Sequence, residues 1–245
     1  MADMTTAQLE AATLDDLLAH AQGKFQVAFE PVSVAGVTLH MLQITNMTEY
    51  VDRLAETTRD EALQLPFWAM IWPSAILTSY FLRRMPLEGQ RVLELGAGVG
   101  VAGLFAAAWG AQVTLSDIDP DALLFTRINA LTNNLGDRVR VRRIDFINDR
   151  LDERFDLILG CEIMYKEAFG RGLVKFLLHH LAATPEAEAV LSHNYTRKGK
   201  KFLSLADEVF HIQEKNIGFK EKTDAASPEC QIVTIHRLRP RQQIS

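Results

Sequence analysis

Three glycines in the run VLELGAGVG stand where a chain can approach a ligand closely. Gly96, Gly98 and Gly100 directly follow a buried-looking strand and precede an apolar, helix-like stretch. Because glycine has no side chain, its backbone can adopt conformations and close approaches that other residues cannot. A glycine-rich turn between a strand and a helix is typical of nucleotide binding. The sequence therefore predicts a nucleotide-type loop over residues 92–100.

Two kinds of cofactor fit this loop by spacing alone. Gly98, Gly100 and Gly103 also satisfy the G-x-G-x-x-G pattern of dinucleotide folds, with Asp117 following at the expected distance. Glu94 argues against a dinucleotide, because a carboxylate just before the loop would repel a pyrophosphate. The same carboxylate can attract the cationic amino-acid portion of S-adenosylmethionine, directly or through water. S-adenosylmethionine is therefore the favoured cofactor.

Two further carboxylates end predicted strands. Asp117, at the end of QVTLSD, is placed to accept hydrogen bonds from both ribose hydroxyls. Asp145, at the end of VRVRRID and beside Phe146, could accept from the adenine amino group. Either residue alone could be a helix cap or a turn residue, but both together with the glycine loop indicate a cofactor site. Three more residues are expected to line that site: Ala97, Ile118 and Cys161.

The elements that position these residues form an alternating pattern. Seven β-rich runs follow residue 90, and helical stretches lie between most of them: RVLEL, QVTLS, VRVRRI, FDLILG, AEAVLSHN, HIQEKNIGF and CQIVTIHRL. Such alternation predicts an α/β fold with a Rossmann-like, doubly wound, mostly parallel seven-stranded sheet. Residues 220–229 are too few for a parallel crossover, so the last strand should be antiparallel. That strand also departs from the parallel dinucleotide pattern.

The N-terminal part is predicted to be an extension of this sheet domain. Residues 1–24 have leucines at near-helical spacing and predict a loosely attached amphipathic helix. The alternating runs FQVAFEPVSV and VTLHMLQI, around Ala35-Gly36, predict a β-hairpin. A helix is expected near 48–56. We therefore divide the chain into a helical and hairpin extension packed on the core, residues 1–64, and an S-adenosylmethionine-binding domain, residues 65–245.

Several of these motifs resemble a known family. VLELGAGVG, LSDIDP, RIDF and FDLILGCEIMY are similar to class I, seven-strand S-adenosylmethionine-dependent methyltransferases. EIMY resembles the acidic-x-x-Tyr motif of protein-lysine methyltransferases, and PFWAMIWPSA resembles the branch of the electron-transfer-flavoprotein β-subunit lysine methyltransferase and its bacterial relatives. The resemblance covers residues 65–195. It implies that Trp72 packs on the cofactor and that the catalytic residues Glu162 and Tyr165 face the methyl acceptor.

A lysine acceptor sets a further requirement at this site. Methyl transfer needs the neutral amine, whereas lysine is protonated at neutral pH. Glu162 is expected to capture and orient the incoming amine, and burial against Tyr165, Phe67 and Trp68 to favour its neutral form. Glu162 stands where many members of the family have Asp, which adds one methylene of reach.

Other polar clusters have weaker interpretations. His193 and Tyr195 end the fifth predicted strand of the sheet and are expected to line the acceptor channel with Phe67 and Trp68. The pair His179-His180 is interpreted as a surface pair rather than a metal site, since no carboxylate is spaced to complete one. The basic run from Arg197 to Lys201 is interpreted as a solvated helix start, with contact to an acidic substrate surface or RNA as the alternative.

Composition narrows the function classes. The net charge is −5, with 26 Lys+Arg against 31 Asp+Glu, so no global positive field favours nucleic acid. The only cysteines, Cys161 and Cys230, suit a reducing compartment, and the N-terminus lacks a signal or transit pattern. We expect a cytoplasmic protein, monomeric, with no membrane or nucleic-acid partner and no metal.

The sequence thus predicts an S-adenosylmethionine-dependent methyltransferase that N-methylates a lysine side chain of a protein. A small-molecule N-methyltransferase remains the first alternative; a deep closed pocket would favour it, and an open groove beside Glu162 would favour a protein acceptor. A nicotinamide oxidoreductase and a catalytically silent scaffold remain as less favoured alternatives.

Overall fold

The computed structural model describes residues 3–57, 65–164, 166–196, 199–220 and 230–241. The helices are α1 Thr6–Ala11, α2 Leu14–Gln22, α3 Met47–Thr57, α4 Pro73–Leu82, α5 Val101–Ala108, α6 Pro120–Thr132, α7 Gly170–His180 and α8 Lys200–Asp207. The strands are β1 Val27–Val34, β2 Val37–Ile44, β3 Arg91–Leu95, β4 Gln112–Asp117, β5 Val139–Arg143, β6 Leu157–Cys161, β7 Glu188–Asn194, β8 Phe210–Lys220 and β9 Cys230–Pro240.

Strands β3 to β9 form a seven-stranded sheet in the order β5-β4-β3-β6-β7-β9-β8. The first five are mutually parallel, whereas β9 runs antiparallel to both β7 and β8. This arrangement confirms the predicted fold class, including its antiparallel end. The strand order reverses between β3 and β6, and ligands of open α/β sheets bind at the carboxyl ends of strands beside such a reversal.

The helices around this point begin at residues suited to starting them. Asp119 caps α6 by accepting hydrogen bonds from the backbone N–H groups of Asp121 and Ala122, and Pro120 occupies the first turn. Pro73 has the same position in α4, directly after Trp72. These local signals fix where the chain leaves the strands and therefore where the site residues lie.

Two apolar clusters cover the two faces of the sheet. Alternate residues of β3 illustrate the division, because Val92 belongs to the cluster that includes α5 and α6 and Leu93 to the cluster that includes α7. Both side chains are fully buried. Helices on both sides of a parallel sheet bury it completely, which confirms the doubly wound layout.

The N-terminal segment differs from the single, loosely attached helix that the sequence suggested. Thr13 forms a capping box and starts a second helix, so the segment divides into α1 and α2. Leu9 and Leu17, one on each helix, are fully buried. Glu10 accepts a hydrogen bond at 2.7 Å from the backbone N–H of Val141 on the edge strand β5. The segment therefore packs firmly and satisfies part of an exposed sheet edge.

The predicted hairpin is present as β1 and β2. Ala35 and Gly36 form its turn with φ values of 49° and 83°, as a two-residue turn matched to strand twist requires. The Asn129 side chain accepts a hydrogen bond at 2.7 Å from the backbone N–H of Leu42, so α6 holds the hairpin. The division of the chain at residue 64 stays a prediction, since residues 58–64 lie outside the described ranges.

The described part of the chain shows no membrane-spanning helix and no cluster suited to a metal ion, and one predicted surface histidine is buried. Within the described ranges, no helix has the length and apolar character needed to span a bilayer. His180 is buried rather than at the surface: its Nε2 accepts from the backbone N–H of Leu151 at 2.9 Å, and its ring contacts Phe176. Only His179 of that pair is exposed. Among the residues described, no group of three His, Cys, Asp or Glu side chains is arranged to hold a metal ion.

Candidate active site

The glycine loop between β3 and α5 adopts a left-handed backbone at each predicted position. Gly96, Gly98 and Gly100 have φ values of 60°, 55° and 87°, a region that only glycine enters freely. At Gly98 the neighbourhood is also closed, because an added Cβ would lie 2.7 Å from the backbone oxygen of Trp68. The loop is therefore a cradle in which backbone, rather than side chains, faces the ligand.

Asp117 joins this loop to the end of the neighbouring strand. Its carboxylate accepts hydrogen bonds from the backbone N–H of Gly98 at 2.9 Å and of Asp119 at 3.0 Å. The parallel register that pairs Leu95 with Ser116 brings the two strand ends together. Burial raises the pKa of Asp117 despite these hydrogen bonds. Each oxygen keeps a further acceptor position for a ligand hydroxyl.

Glu94 is a carboxylate deep in the same site. It is 1% exposed and accepts a hydrogen bond at 2.8 Å from the backbone N–H of Gly103. Burial raises the pKa of Glu94 to about 8; the bond from Gly103 opposes the rise and the charge of Asp117 adds to it. No Lys or Arg in the described part of the chain forms an ion pair with it. A cationic ligand group is what would compensate such a buried charge.

Asp145 and Phe146 follow the edge strand β5. The carboxylate of Asp145 accepts from the backbone N–H of Ile147 at 2.9 Å and from the side chain of Asn148 at 2.7 Å. These hydrogen bonds lower the pKa of Asp145, so the group is ionised. The Phe146 ring meets Phe169 edge-on, with centroids 5.8 Å apart. The arrangement offers an acceptor beside an aromatic surface.

The aromatic segment before α4 divides between the cavity and the core. Phe67 is 56% exposed, and its backbone oxygen accepts from the indole N–H of Trp72 at 3.0 Å. The Trp68 ring instead packs edge-on against Phe25 and Phe125, with centroids 6.0 and 5.1 Å away. Trp68 thus contributes backbone to the glycine cradle and its ring to the core.

Glu162 follows β6 in a backbone conformation that is rare for its residue type. Its φ is +58°, and residues held in such conformations concentrate at functional sites. The backbone N–H of Asn194 donates to its Oε1 at 2.8 Å, while its own N–H donates to the oxygen of Ser192 at 2.8 Å. Strand β7 therefore fixes both the backbone and the carboxylate of Glu162. Tyr165 lies outside the described residues.

A single cavity of about 1020 Å³ brings most of the predicted residues together. Its lining includes Phe67, Trp68, Trp72, Glu94, Gly96, Ala97, Gly98, Asp117, Ile118, Asp145, Phe146, Cys161 and Glu162. Burial, with the charge of Glu94, raises the pKa of the Cys161 thiol to about 12. This thiol is consequently neutral and suited to packing rather than nucleophilic attack.

Two predicted acceptor residues are not in that lining. His193 lies on the opposite face of β7 from Ser192, because strand side chains alternate. Its Nε2 lies 2.9 Å from the Nε2 of His236 and its Nδ1 lies 2.8 Å from the oxygen of Asn194. The Tyr195 side chain is 49% exposed, beyond the end of β7. The structure places both outside the lining of the cavity.

Sequence reasoning missed much of the wall beyond Glu162. That wall includes Met164, Lys166, Phe169, Lys200, Lys201 and Phe202. The helix start predicted near 200 is confirmed by α8. Its entry into the cavity was not predicted, because neither periodicity nor a motif indicates which loop meets the end of β6.

Comparison with solved structures identifies the fold. One is the N-methyltransferase NodS from Bradyrhizobium japonicum, solved with S-adenosyl-L-homocysteine. It superposes with a TM-score of 0.54 and 16% identity, and the match covers 80% of this chain and 100% of that chain. A putative RNA methyltransferase from Pyrococcus horikoshii superposes with a TM-score of 0.55 and 17% identity. That match covers 80% of this chain and 99% of that chain. At these identities the likeness shows the fold, which is that of Rossmann-like methyltransferases.

Sequence comparison defines the family. The family model described as lysine methyltransferase matches residues 58–209. Protein N-lysine methyltransferase METTL21A from Xenopus tropicalis is 37% identical over 168 residues, covering 66% of this chain and 76% of that protein. The electron transfer flavoprotein beta subunit lysine methyltransferase from Danio rerio is 36% identical over 115 residues, covering 46% of this chain and 44% of that protein.

Within the class that fold and site define, the chain belongs to the lysine methyltransferase family. It is an S-adenosylmethionine-dependent enzyme that methylates lysine. The residues present fit that cofactor, since the Gly98 cradle admits no side chain and the buried Glu94 suits a cation. The family match also decides between the two cofactors that the glycine loop alone had left open.

Proposed function

We propose that the acceptor is a lysine side chain of a protein and that it enters the cavity beside Glu162. One observation carries the proposal: Glu162 lines the same cavity as the glycine loop, and the mouth of that cavity is exposed. Phe67 is 56% and Met70 47% exposed there. An open mouth suits a side chain presented by a large partner, whereas small ligands are mostly enclosed by their pockets.

In this proposal, each of three carboxylates binds a different part of the cofactor. S-adenosylmethionine supplies a methyl group on a positively charged sulfur. Glu94 would hold its amino group, Asp117 its ribose hydroxyls and Asp145 its adenine amino group. Trp72, at the start of α4, would pack against it. The support is that all four line one cavity and that each carboxylate is set by backbone hydrogen bonds or burial.

The acceptor amine must be neutral, because its lone pair forms the new N–C bond as the C–S bond breaks. Deprotonating a lysine of ordinary pKa at pH 7 costs about 4.6 kcal/mol. Glu162 attracts and orients the ammonium group on arrival, in the direction set by the hydrogen bond from Asn194. Desolvation at the apolar mouth then lowers the lysine pKa, and the proton leaves to water. Tyr165 is proposed to face the same amine.

The test is methyl transfer to proteins of a lysate that lacks this gene, with methyl-labelled S-adenosylmethionine. We expect discrete labelled protein bands with the wild type and a decrease of about 100-fold or more with Glu162→Gln, since orientation of the amine is lost. Glu186→Gln changes an exposed carboxylate outside the cavity and should retain full labelling. Label found only in small molecules would overturn the proposal in favour of a small-molecule acceptor.

We also infer a cytoplasmic location and a monomeric enzyme that acts without nucleic acid. The support is the net charge of −5, the presence of only two cysteines and their lack of metal or disulfide spacing. Fractionation of cells and light scattering of the purified protein test the location and the monomer.

A further inference from the structure

The wall of the cavity beyond Glu162 carries positive charge. Lys200 and Lys201 are exposed and line the cavity at the start of α8. Lys166 lines it from the segment after β6. Among the described residues, no acidic side chain forms an ion pair with Lys200 or Lys201. Lys200 and Lys201, the basic rim, therefore present charge that no acidic side chain in the described part of the chain compensates.

The position of two of these lysines opposes the stability of their own helix. The first turn of α8 contains no acidic residue, although acidic residues are favoured at a helix N-terminus and cations are not. Lys200 and Lys201 thus add to the positive end of the helix dipole. A stability-optimised helix start would carry the opposite charge, so the arrangement is better explained by a negative partner at the mouth.

The lining of the same cavity also includes exposed apolar side chains. Leu65, Phe67 and Met70, the apolar rim, are 41%, 56% and 47% exposed, and all three line the cavity. Large apolar side chains grouped at an opening are typical of a surface that binds a partner. Together with the exposed lysines of the same cavity lining, these side chains would complement a segment that carries both apolar and acidic residues.

We propose that the acceptor lysine lies in an acidic segment of the substrate protein, whose carboxylates contact the basic rim while an apolar neighbour packs on the apolar rim. This inference rests on the proposed function and specifies its substrate class. An acidic protein segment is favoured over RNA because Glu162, a carboxylate that attracts an amine and repels phosphate, lines the same cavity as both rims.

The experiment uses the full-length enzyme and starts from the labelled lysate proteins, whose modified lysine is located by mass spectrometry. The charge-reversal variant is Lys200→Glu/Lys201→Glu, and the matched control is Lys175→Glu/Lys215→Glu, two exposed lysines outside the cavity. Binding of S-adenosylhomocysteine and circular dichroism show that each variant is folded. kcat and KM are then measured on the purified substrate, with salt raised from about 50 to about 300 mM.

We expect carboxylates within a few residues of the mapped lysine, on the substrate surface. Reversal at the rim should raise KM about tenfold or more at low salt, with S-adenosylhomocysteine affinity unchanged. The control should not change KM. Replacing the substrate's carboxylates with lysine should restore methylation by the rim variant and weaken it with the wild type.

Four results would overturn this inference alone, and a fifth would overturn the proposed function on which it rests. A mapped lysine on a neutral or basic surface, an unchanged KM for the rim variant, or failure of the charge exchange would each contradict it while leaving protein-lysine methylation intact. Labelled RNA would assign the rim to nucleic acid. Absence of any labelled protein would contradict the proposed function itself, which separates that failure from failure of this inference alone.

Discussion

Two glutamates of one cavity have different surroundings, and this difference supports the different roles proposed for them. Glu94 is buried under the glycine loop, where desolvation favours its protonated form until a cation arrives. Glu162 is half-buried in the same lining, where the backbone of β7 holds its carboxylate and its own backbone is left-handed. At the scale of single residues, the carboxylates proposed for cofactor binding and for acceptor binding thus differ in burial.

Cofactor binding should release a proton through Glu94. At pH 7 this carboxyl, with a pKa of about 8, is largely protonated in the free enzyme. A cationic amino group favours its ionised form, so S-adenosylhomocysteine binding should release about one proton. Titration calorimetry in buffers of different ionisation enthalpy measures this number. Glu94→Gln should bind more weakly and release none; a wild-type value of zero would contradict the assignment of Glu94.

Gly98→Ala should abolish the cradle. The added Cβ would meet the Trp68 oxygen at 2.7 Å, and the φ of +55° disfavours any side chain. We expect at least about a tenfold loss of S-adenosylhomocysteine affinity, equivalent to about 1.4 kcal/mol. Gly89→Ala is the matched control, because it has a φ of +72° but nothing within 4 Å. It should cost about 1 kcal/mol of stability without a change in affinity; equal affinity losses would refute the steric explanation.

At the scale of elements, the strands were predictable and several contacts between them were not. Short β-rich runs separated by helical segments predicted all seven strands of the sheet. The ten residues 220–229, too few for a parallel crossover, predicted the antiparallel end. Asp119-Pro120 predicted the start of α6 because Asp favours the N-cap and Pro the first turn of a helix. His193 was predicted to line the acceptor channel. Side chains alternate along β7, however, and His193 lies on the opposite face of the strand, next to His236. Entry of α8 into the cavity depends on tertiary packing, which no local pattern encodes.

Helix α2 should contribute to stability through its buried side. Leu17 is fully buried, whereas its neighbour Leu18 is only partly buried. Leu17→Ala should lower the free energy of unfolding by about 2–5 kcal/mol, and Leu18→Ala by clearly less. Urea unfolding followed by circular dichroism measures both. Equal, small effects would mean that α2 is loosely attached, as the sequence alone had suggested.

At the scale of the whole molecule, the sheet places a titratable pair in its interior. His236 is 1% exposed on β9; the ring of His193 stacks on it, and Glu214 lies 3.8 Å away across the strand pair. Burial and the neighbouring His193 lower the pKa of His236 to about 4. The folded state therefore holds this histidine neutral, while the unfolded chain protonates it near its ordinary pKa.

Acid should destabilise the protein through this pair. The unfolded state binds more protons than the folded state between about pH 6.5 and pH 4, so stability should fall as the pH falls through that window. His236→Gln should flatten the wild-type dependence there, and His40→Gln, at an exposed position of β2, should not. Chemical unfolding at several pH values gives the curves. Parallel curves for wild type and His236→Gln would contradict the effect.

The central claim is that the cavity transfers a methyl group to the side-chain nitrogen of a lysine in a protein. The most direct measurement is mass spectrometry of the labelled protein, with fragmentation that assigns the methyl group to one residue and atom. We predict methylated lysine Nζ, formed by the wild type and lost with Glu162→Gln while cofactor affinity persists. A methyl group on another residue type, or undiminished lysine methylation by Glu162→Gln, would contradict the account.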